Sequence, residues 1–139
     1  MLEPIAVLCV DDNEHIREAL RLWLARERRY RWAGSLDSAD DLAQRVQDGP
    51  SIVLLDIDMP GRSAFDALAE LSTRKPEARV IIFSGHVRLE LIDRAIEAGA
   101  WGYVSKNDGE QALFGAMDRV ASDEIVFSAE ARALLGKPA

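Results

Sequence analysis

The sequence predicts a doubly wound α/β sandwich, a parallel sheet of five strands between two layers of helices. Two observations carry this. Five short β-like runs alternate with five helical ones along 139 residues, the pattern of repeated βα units on a parallel sheet. Three of those runs, at 5–10, 51–55 and 79–84, are almost continuously apolar instead of alternating. Parallel strands covered by helices on both faces read that way, and their crossovers should be right-handed.

The first strand is IAVLCV, Ile5–Val10. Asn13 then offers an N-cap, and Ile16, Ala19, Leu20, Trp23 and Leu24 form the apolar stripe of the first helix. YRWAG, Tyr30–Gly34, is a second and weaker strand. Asp37 is placed to cap a second helix carrying Leu42, Ala43 and Val46, which stops near Gly49-Pro50. SIVLLD is the third strand. Ser63 is placed to cap the third helix, marked by Phe65, Leu68 and Ala69. RVIIFS, Arg79–Ser84, is the fourth strand, and Leu89, Ile92 and Ile96 mark a helix ending at Gly99. WGYVS is the fifth strand, with Trp101 at its start either packed on its own helix or free to anchor a partner. Leu113, Ala116, Met117 and Val120 mark the fifth helix. Residues 1–121 thus form one domain. Residues 122–139 form a tail or linker stub, with an extended apolar patch at Ile125–Phe127 and a last helical turn or two through Leu134 and Leu135.

Composition narrows the function classes. Asp and Glu outnumber Lys and Arg by 24 to 17, a formal charge of −7, and such a surface repels nucleic-acid phosphates. No nucleic acid is expected to bind this chain alone. The one basic cluster, RERRYR at Arg26–Arg31, reads as a solvated helix end near the C-terminal dipole. A single cysteine, Cys9, excludes an internal disulfide and reads as an inert core thiol. No apolar run approaches the roughly 20 residues of a membrane span. The first ten residues, MLEPIAVLCV, lack a basic n-region and a cleavage site. Together these features lead us to expect a cytoplasmic protein without membrane contact.

The informative residues stand where strands end. Open α/β sheets bind ligands at the carboxyl ends of their strands. Strand one ends in Asp11-Asp12, strand three in Asp56, strand four in Ser84 and strand five in Lys106. In the flavodoxin-like order 2-1-3-4-5, strands one and three are neighbours, so their acids should meet. Three carboxylates together are not neutralised by one lysine, so either a carboxyl pKa rises or a cation binds. Oxygen donors without His or Cys favour Mg²⁺, which pairs readily with phosphate. Lys106 and the Ser84 hydroxyl would then donate to phosphoryl oxygens. Asp56 can accept the phosphoryl group as an aspartyl-phosphate. Singly these residues are unremarkable turn, cap or solvated groups; their joint placement carries the reading.

The motifs VLCVDDNEHIREAL, VLLDIDMPG, VIIFSGH and AGAWGYVSK resemble those of the receiver domain of two-component response regulators. The resemblance covers about Ile5 to Val120. The final stretch, from DGEQALFGAM onward, is similar to the fifth helix and linker of regulators that carry a LuxR-type helix-turn-helix. The resemblance implies that Asp56 takes a phosphoryl group from a sensor histidine kinase. Asp11, Asp12 and Asp56 would hold Mg²⁺, with the backbone carbonyl of Asp58 completing the site. Ser84 would grip the phosphoryl group and Lys106 would pair with it. Tyr103 matches the aromatic switch position and would turn inward, altering the face made by helix four, strand five and helix five. Asp58 and His86, each two residues past a site residue, match positions linked to the rate of phosphate loss. The tail leads us to expect a DNA-binding output domain in a longer parent, and dimerisation through an apolar face is a further expectation.

The sequence departs from the family pattern at Asn107, where proline is common after the lysine, and at Ala64, near the place of a second glycine. Neither change touches the five site residues. The rival reading is a haloacid-dehalogenase-like phosphatase using Asp56 as nucleophile and Asp58 as acid. It leaves Asp11-Asp12 unexplained, and the chain lacks room for that family's cap and distal acidic motif. A pseudo-receiver that binds partners without phosphate is the third reading, and the complete set of five residues counts against it.

Overall fold

A computed structural model describes residues 3–136 of the chain. The first two and last three residues, which belong to the expected 1–121 domain and 122–139 tail, lie outside the described residues. The strands are β1 (Ile5–Val10), β2 (Tyr30–Leu36), β3 (Ser51–Leu55), β4 (Ala78–Ser84), β5 (Gly102–Ser105) and β6 (Val126–Phe127). The helices are α1 (Glu14–Ala25), α2 (Leu42–Arg45), α3 (Ala64–Arg74), α4 (Leu89–Ala98), α5 (Gly109–Ala121) and α6 (Ala129–Leu134). A 3₁₀ turn, Lys106–Asp108, joins β5 to α5.

All strand pairs are parallel, in the order β2-β1-β3-β4-β5-β6. The expected order is present with one strand added at the β5 edge, because Val126 and Phe127 of the apolar patch pair with β5 while Ile125 stays exposed. Strand residues alternate between two cores. Leu8, Val10, Val53, Leu55, Val80 and Ile82 face the α2–α3–α4 side. Val7, Cys9, Ile52, Leu54, Ile81 and Phe83 face the α1–α5 side. Both faces are therefore largely dry, which is why these strands are almost continuously apolar. Each fully buried Leu or Ile contributes roughly 2 kcal/mol by burial, so the sheet is a stiff platform for whatever lies at its ends.

Several local expectations change. Strand β2 runs past Gly34 to Leu36, and Gly34 lies inside it. The register against β1 slips between Val7 and Leu8, and Gly34 takes φ +120° there. The glycine accommodates a bulge instead of ending the strand. The second helix shrinks to one turn, and Asp37 does not cap it. Asp41 precedes it at φ +58°, and Val46 has already returned to extended geometry. Ser38 Oγ accepts from Asp40 N, so polar side chains in DSADD compete with the helical backbone. Burial of Ala39, Leu42, Ala43 and Val46 fixes this segment. Ser63 stands at the N-cap of α3 without a side-chain bond to it. In α4 the buried stripe is Leu91, Ile92 and Ala95, while Leu89 and Ile96 are exposed.

Other expectations hold. Asn13 caps α1, its Oδ1 accepting from His15 N at 2.9 Å. Gly99 ends α4 at φ +105°, and an added Cβ would meet Ser72 Oγ at 2.5 Å, so both conformation and space require glycine. The basic cluster stands largely exposed at the end of α1, with Arg26 paired to Glu110 and Arg29 to Asp118 of α5. Trp101 is half-buried with the Arg79 guanidinium 4.1 Å from its ring centroid. It packs on its own domain. Cys9 is buried in β1; burial, and secondarily the Asp11 charge, push its thiol up to about 12. Native protein at neutral pH should therefore resist a thiol reagent such as dithionitrobenzoate for hours and react fully in denaturant. Rapid stoichiometric labelling of the native form would contradict this placement.

Candidate functional site

The ladder hydrogen bonds continue past the strand ends and hold the acids in register. Asp11 N donates to Leu36 O at 3.0 Å, and Asp56 N donates to Val10 O at 2.9 Å. The two aspartates therefore stand side by side at the carboxyl edge of β1 and β3. Asp11 and Asp56 are buried and Asp12 is exposed. One carboxylate oxygen from each of the three lies within 4.8 Å of the others. Asp11 is further fixed locally: its Oδ1 accepts from Asn13 N at 2.9 Å, and its backbone carbonyl accepts from the Arg17 guanidinium at 2.8 Å. Arg17 was not evident from spacing alone, since it reaches the site from one turn inside α1.

Lys106 enters from the end of β5. Its Nζ donates to Asp11 Oδ2 at 2.7 Å and lies 3.6 Å from Asp56 Oδ2. Among the described residues it is the single cation bridging these two buried carboxylates. Desolvation holds the Asp56 carboxyl above the usual carboxylate range; Lys106 opposes that shift and Asp11 adds to it. Asp56 Oδ1 also accepts a long bond, 3.4 Å, from Asp58 N.

Ser84 ends β4, fully buried, and its Oγ accepts from His86 N at 3.0 Å. Tyr103 is buried on β5, and its hydroxyl donates to the His86 carbonyl at 2.5 Å. The ring lies inside the domain in this structure. Asp58 and His86 are both exposed, and their side chains meet at 3.1 Å at the rim of the site. Pro60-Gly61 turns the chain out of β3, with Gly61 at φ +94°. An added Cβ there would lie 3.1 Å from the Asp40 carboxylate, which accepts from Arg62 N. Asn107, the departure after the lysine, donates its N–H to Ser105 Oγ at 3.0 Å within the 3₁₀ turn.

The fold therefore brings Asp11, Asp12, Asp56, Ser84 and Lys106 to one edge from four strands, with Tyr103, Asp58 and His86 around them. A buried acid, two further carboxylates and one lysine form an electrostatic site for a divalent cation and an anion together. The sequence model of the response regulator receiver domain matches residues 7–118. The chain belongs to this family.

It is the receiver domain of a two-component response regulator. Its relatives include the probable transcriptional regulatory protein SgaR of Hyphomicrobium methylovorum, 34% identical over 122 residues, 87% of this chain and 58% of that protein. The receiver thus spans little more than half the length of that relative. A LuxR-family response regulator structure from Aurantimonas superposes with a TM-score of 0.87 at 24% identity, covering 96% of both chains. A LuxR-family DNA-binding response regulator from Silicibacter pomeroyi is 29% identical, with a TM-score of 0.71 over 88% of this chain and 95% of that one. Among the described residues, no helix of the receiver is long and apolar enough to cross a membrane.

Proposed function

We propose that this receiver accepts a phosphoryl group on Asp56 from the phosphohistidine of a sensor histidine kinase in a Mg²⁺-dependent reaction. The observation that carries this is the Asp11, Asp12 and Asp56 cluster, three oxygen-donor side chains around one point, with Lys106 beside two of them. The donor set suits Mg²⁺: all are carboxylates, none is His or Cys, and three side chains leave room for water and a phosphoryl oxygen. Asp11, Asp12, Asp56 and the Asp58 backbone carbonyl would hold the ion. Bound there, Mg²⁺ supplies neutralisation of the charge that gathers as the phosphoryl group approaches a carboxylate.

The chain's own residues do the rest. Asp56 Oδ is the nucleophile, and Lys106 needs to travel little to pair with a phosphoryl oxygen on Asp56. Ser84 Oγ turns from His86 N to donate to another oxygen. Tyr103, joined through its hydroxyl to the His86 carbonyl, feels that exchange, and the α4–β5–α5 face changes. Asp58 and His86 stand at the rim where a hydrolytic water approaches, which suits a role in setting the lifetime of the adduct. The domain modifies only itself and turns over no external substrate. The phosphatase reading finds little support, since the Asp58 carboxyl faces solvent and His86 instead of the site. We further infer a cytoplasmic protein whose downstream segment, a DNA-binding output domain, controls transcription, with dimerisation as the step between.

Incubation with Mg²⁺ and acetyl phosphate, followed by intact mass, tests the chemistry. A single labile phosphoryl adduct is expected, lost on chelation before donor is added. No adduct under these conditions would overturn the assignment. A separate check concerns Ser84. Because its Oγ bonds to His86 N and lies outside the acid cluster, Ser84→Ala should leave Mg²⁺ affinity within about twofold. It should also blunt the conformational response to beryllofluoride in amide NMR spectra. Loss of Mg²⁺ binding in this variant would show Ser84 to be misplaced.

A further inference from the structure

The C-terminal segment is bonded to the site's own framework. Strand β6 lies along β5 with Val126 N donating to Trp101 O and Ser128 N to Tyr103 O, both at 3.0 Å. Gly102 permits the approach, since a Cβ there would lie 3.1 Å from Val126 O. At the top, Ser105 N donates to Ser128 Oγ at 3.0 Å. Ser105 Oγ donates to the Glu130 carboxylate at 3.0 and 3.3 Å, and Glu130 N donates to Asp108 Oδ2 at 3.2 Å. Residues on both sides of Lys106, at 105 and 108, are therefore held by the 128–130 segment.

Two routes lead from Asp56 to these bonds. Lys106 bridges Asp11 and Asp56 from the turn whose ends Glu130 clasps. Ser84 is the direct cross-strand partner of Ser105, and through His86 it reaches Tyr103, whose carbonyl receives Ser128 N. The groups that must shift when Asp56 carries an anion are thus the groups that hold the tail.

We propose that Glu130 is a positioning residue for Lys106, and that the Ser105–Glu130 contact is a latch which a phosphoryl group on Asp56 loosens, freeing the β6–α6 segment toward whatever follows it. This rests on Asp56 being the phosphoacceptor. A phosphoryl group draws Lys106 off Asp11 and Ser84 off His86, and both movements pull β5 away from the geometry that satisfies Glu130. The coupling is reciprocal: the factor by which the anion loosens the segment equals the factor by which loosening the segment favours the anion.

Beryllofluoride with Mg²⁺ is the probe, followed by ¹⁹F NMR titration and by amide hydrogen exchange on the full chain. In the wild type, exchange at Val126 and Ser128 should speed up by about tenfold when beryllofluoride binds, the scale of losing one charge-assisted bond. Glu130→Ala should exchange fast with or without the probe and bind beryllofluoride about tenfold more tightly. Glu130→Gln, which keeps an oxygen for Ser105, should fall between them. A merely structural role predicts weaker binding in both variants, and that result overturns the latch. So does wild-type exchange that stays the same or slows while beryllofluoride is bound. If the wild type binds no beryllofluoride at all, the Asp56 assignment fails and the latch with it.

Discussion

Asp56→Asn is expected to abolish phosphoryl adduct formation entirely while raising the thermal stability of the domain. The first effect follows from chemistry, since an amide oxygen is too poor a nucleophile to hold a phosphoryl group. The second follows from electrostatics. Desolvation holds the Asp56 carboxyl above its ordinary range in the folded chain, so ionising it costs folding free energy. A carboxyl with a raised folded pKa favours the native state most when protonated. That advantage is lost as pH rises from the unfolded value through the folded one. Above the folded value the cost is present, and asparagine, nearly isosteric and uncharged, removes it. Melting curves of both proteins at pH 7 and near pH 3 should therefore differ at the first and converge at the second. An adduct surviving in the variant would remove Asp56 from its role. A lower Tm at pH 7 would show that Lys106, not desolvation, dominates its environment.

Lys106→Ala is expected to cost the domain more stability than any other single change at the site. Among the described residues its ammonium is the only cation paired with the Asp11 and Asp56 carboxylates, and both carboxylates are buried. Removing one partner of a buried charge pair typically costs about 3–5 kcal/mol; Lys106 keeps some solvent contact, so about 2–3 kcal/mol is expected here. Mg²⁺ should restore much of that loss, because the freed carboxylates bind a divalent cation without a competing ammonium. Thermal shift with and without Mg²⁺ should give a larger increment for the variant than for the wild type. Adduct formation should nevertheless fall by about 10²–10³, the usual loss when one preorganised charge is deleted. A variant that melts like the wild type in chelator, or that phosphorylates at the normal rate, would refute this account of Lys106.

The opposed signs of these two changes describe the site. Two buried acids are held together by one lysine against their mutual repulsion, and the fold tolerates this because the strands below are stiff and dry. Such strain at a functional edge, offset by packing elsewhere, is a common balance between stability and activity.

The strand runs, the residues at their ends and the α5 stripe were legible because each depends on burial periodicity or on position just past an apolar run. Asn13 and Gly99 were legible because capping and left-handed geometry are local requirements. Other features depended on distant partners. Gly34 reads as a strand end, yet the slip against β1 turns it into a bulge. The stretch from Asp37 reads as a full helix, yet Asp41 in left-handed geometry and Val46 in extended geometry leave one turn between them. Leu89, Ile92 and Ile96 read as the apolar stripe of the helix, yet of these only Ile92 is buried, beside Leu91 and Ala95.

By itself the sequence determined five of the six strands, their order and which five polar side chains share the carboxyl edge, because in a strand covered on both faces a cluster of polar residues stands out where the apolar run stops. Only the tertiary structure decided that Lys106 leans on Asp11 more than on Asp56, that Tyr103 is anchored to the His86 carbonyl, and that Glu130 reaches back to Ser105. Those contacts join residues up to 95 positions apart, and their distances are set by how whole strands pack, which no local pattern encodes.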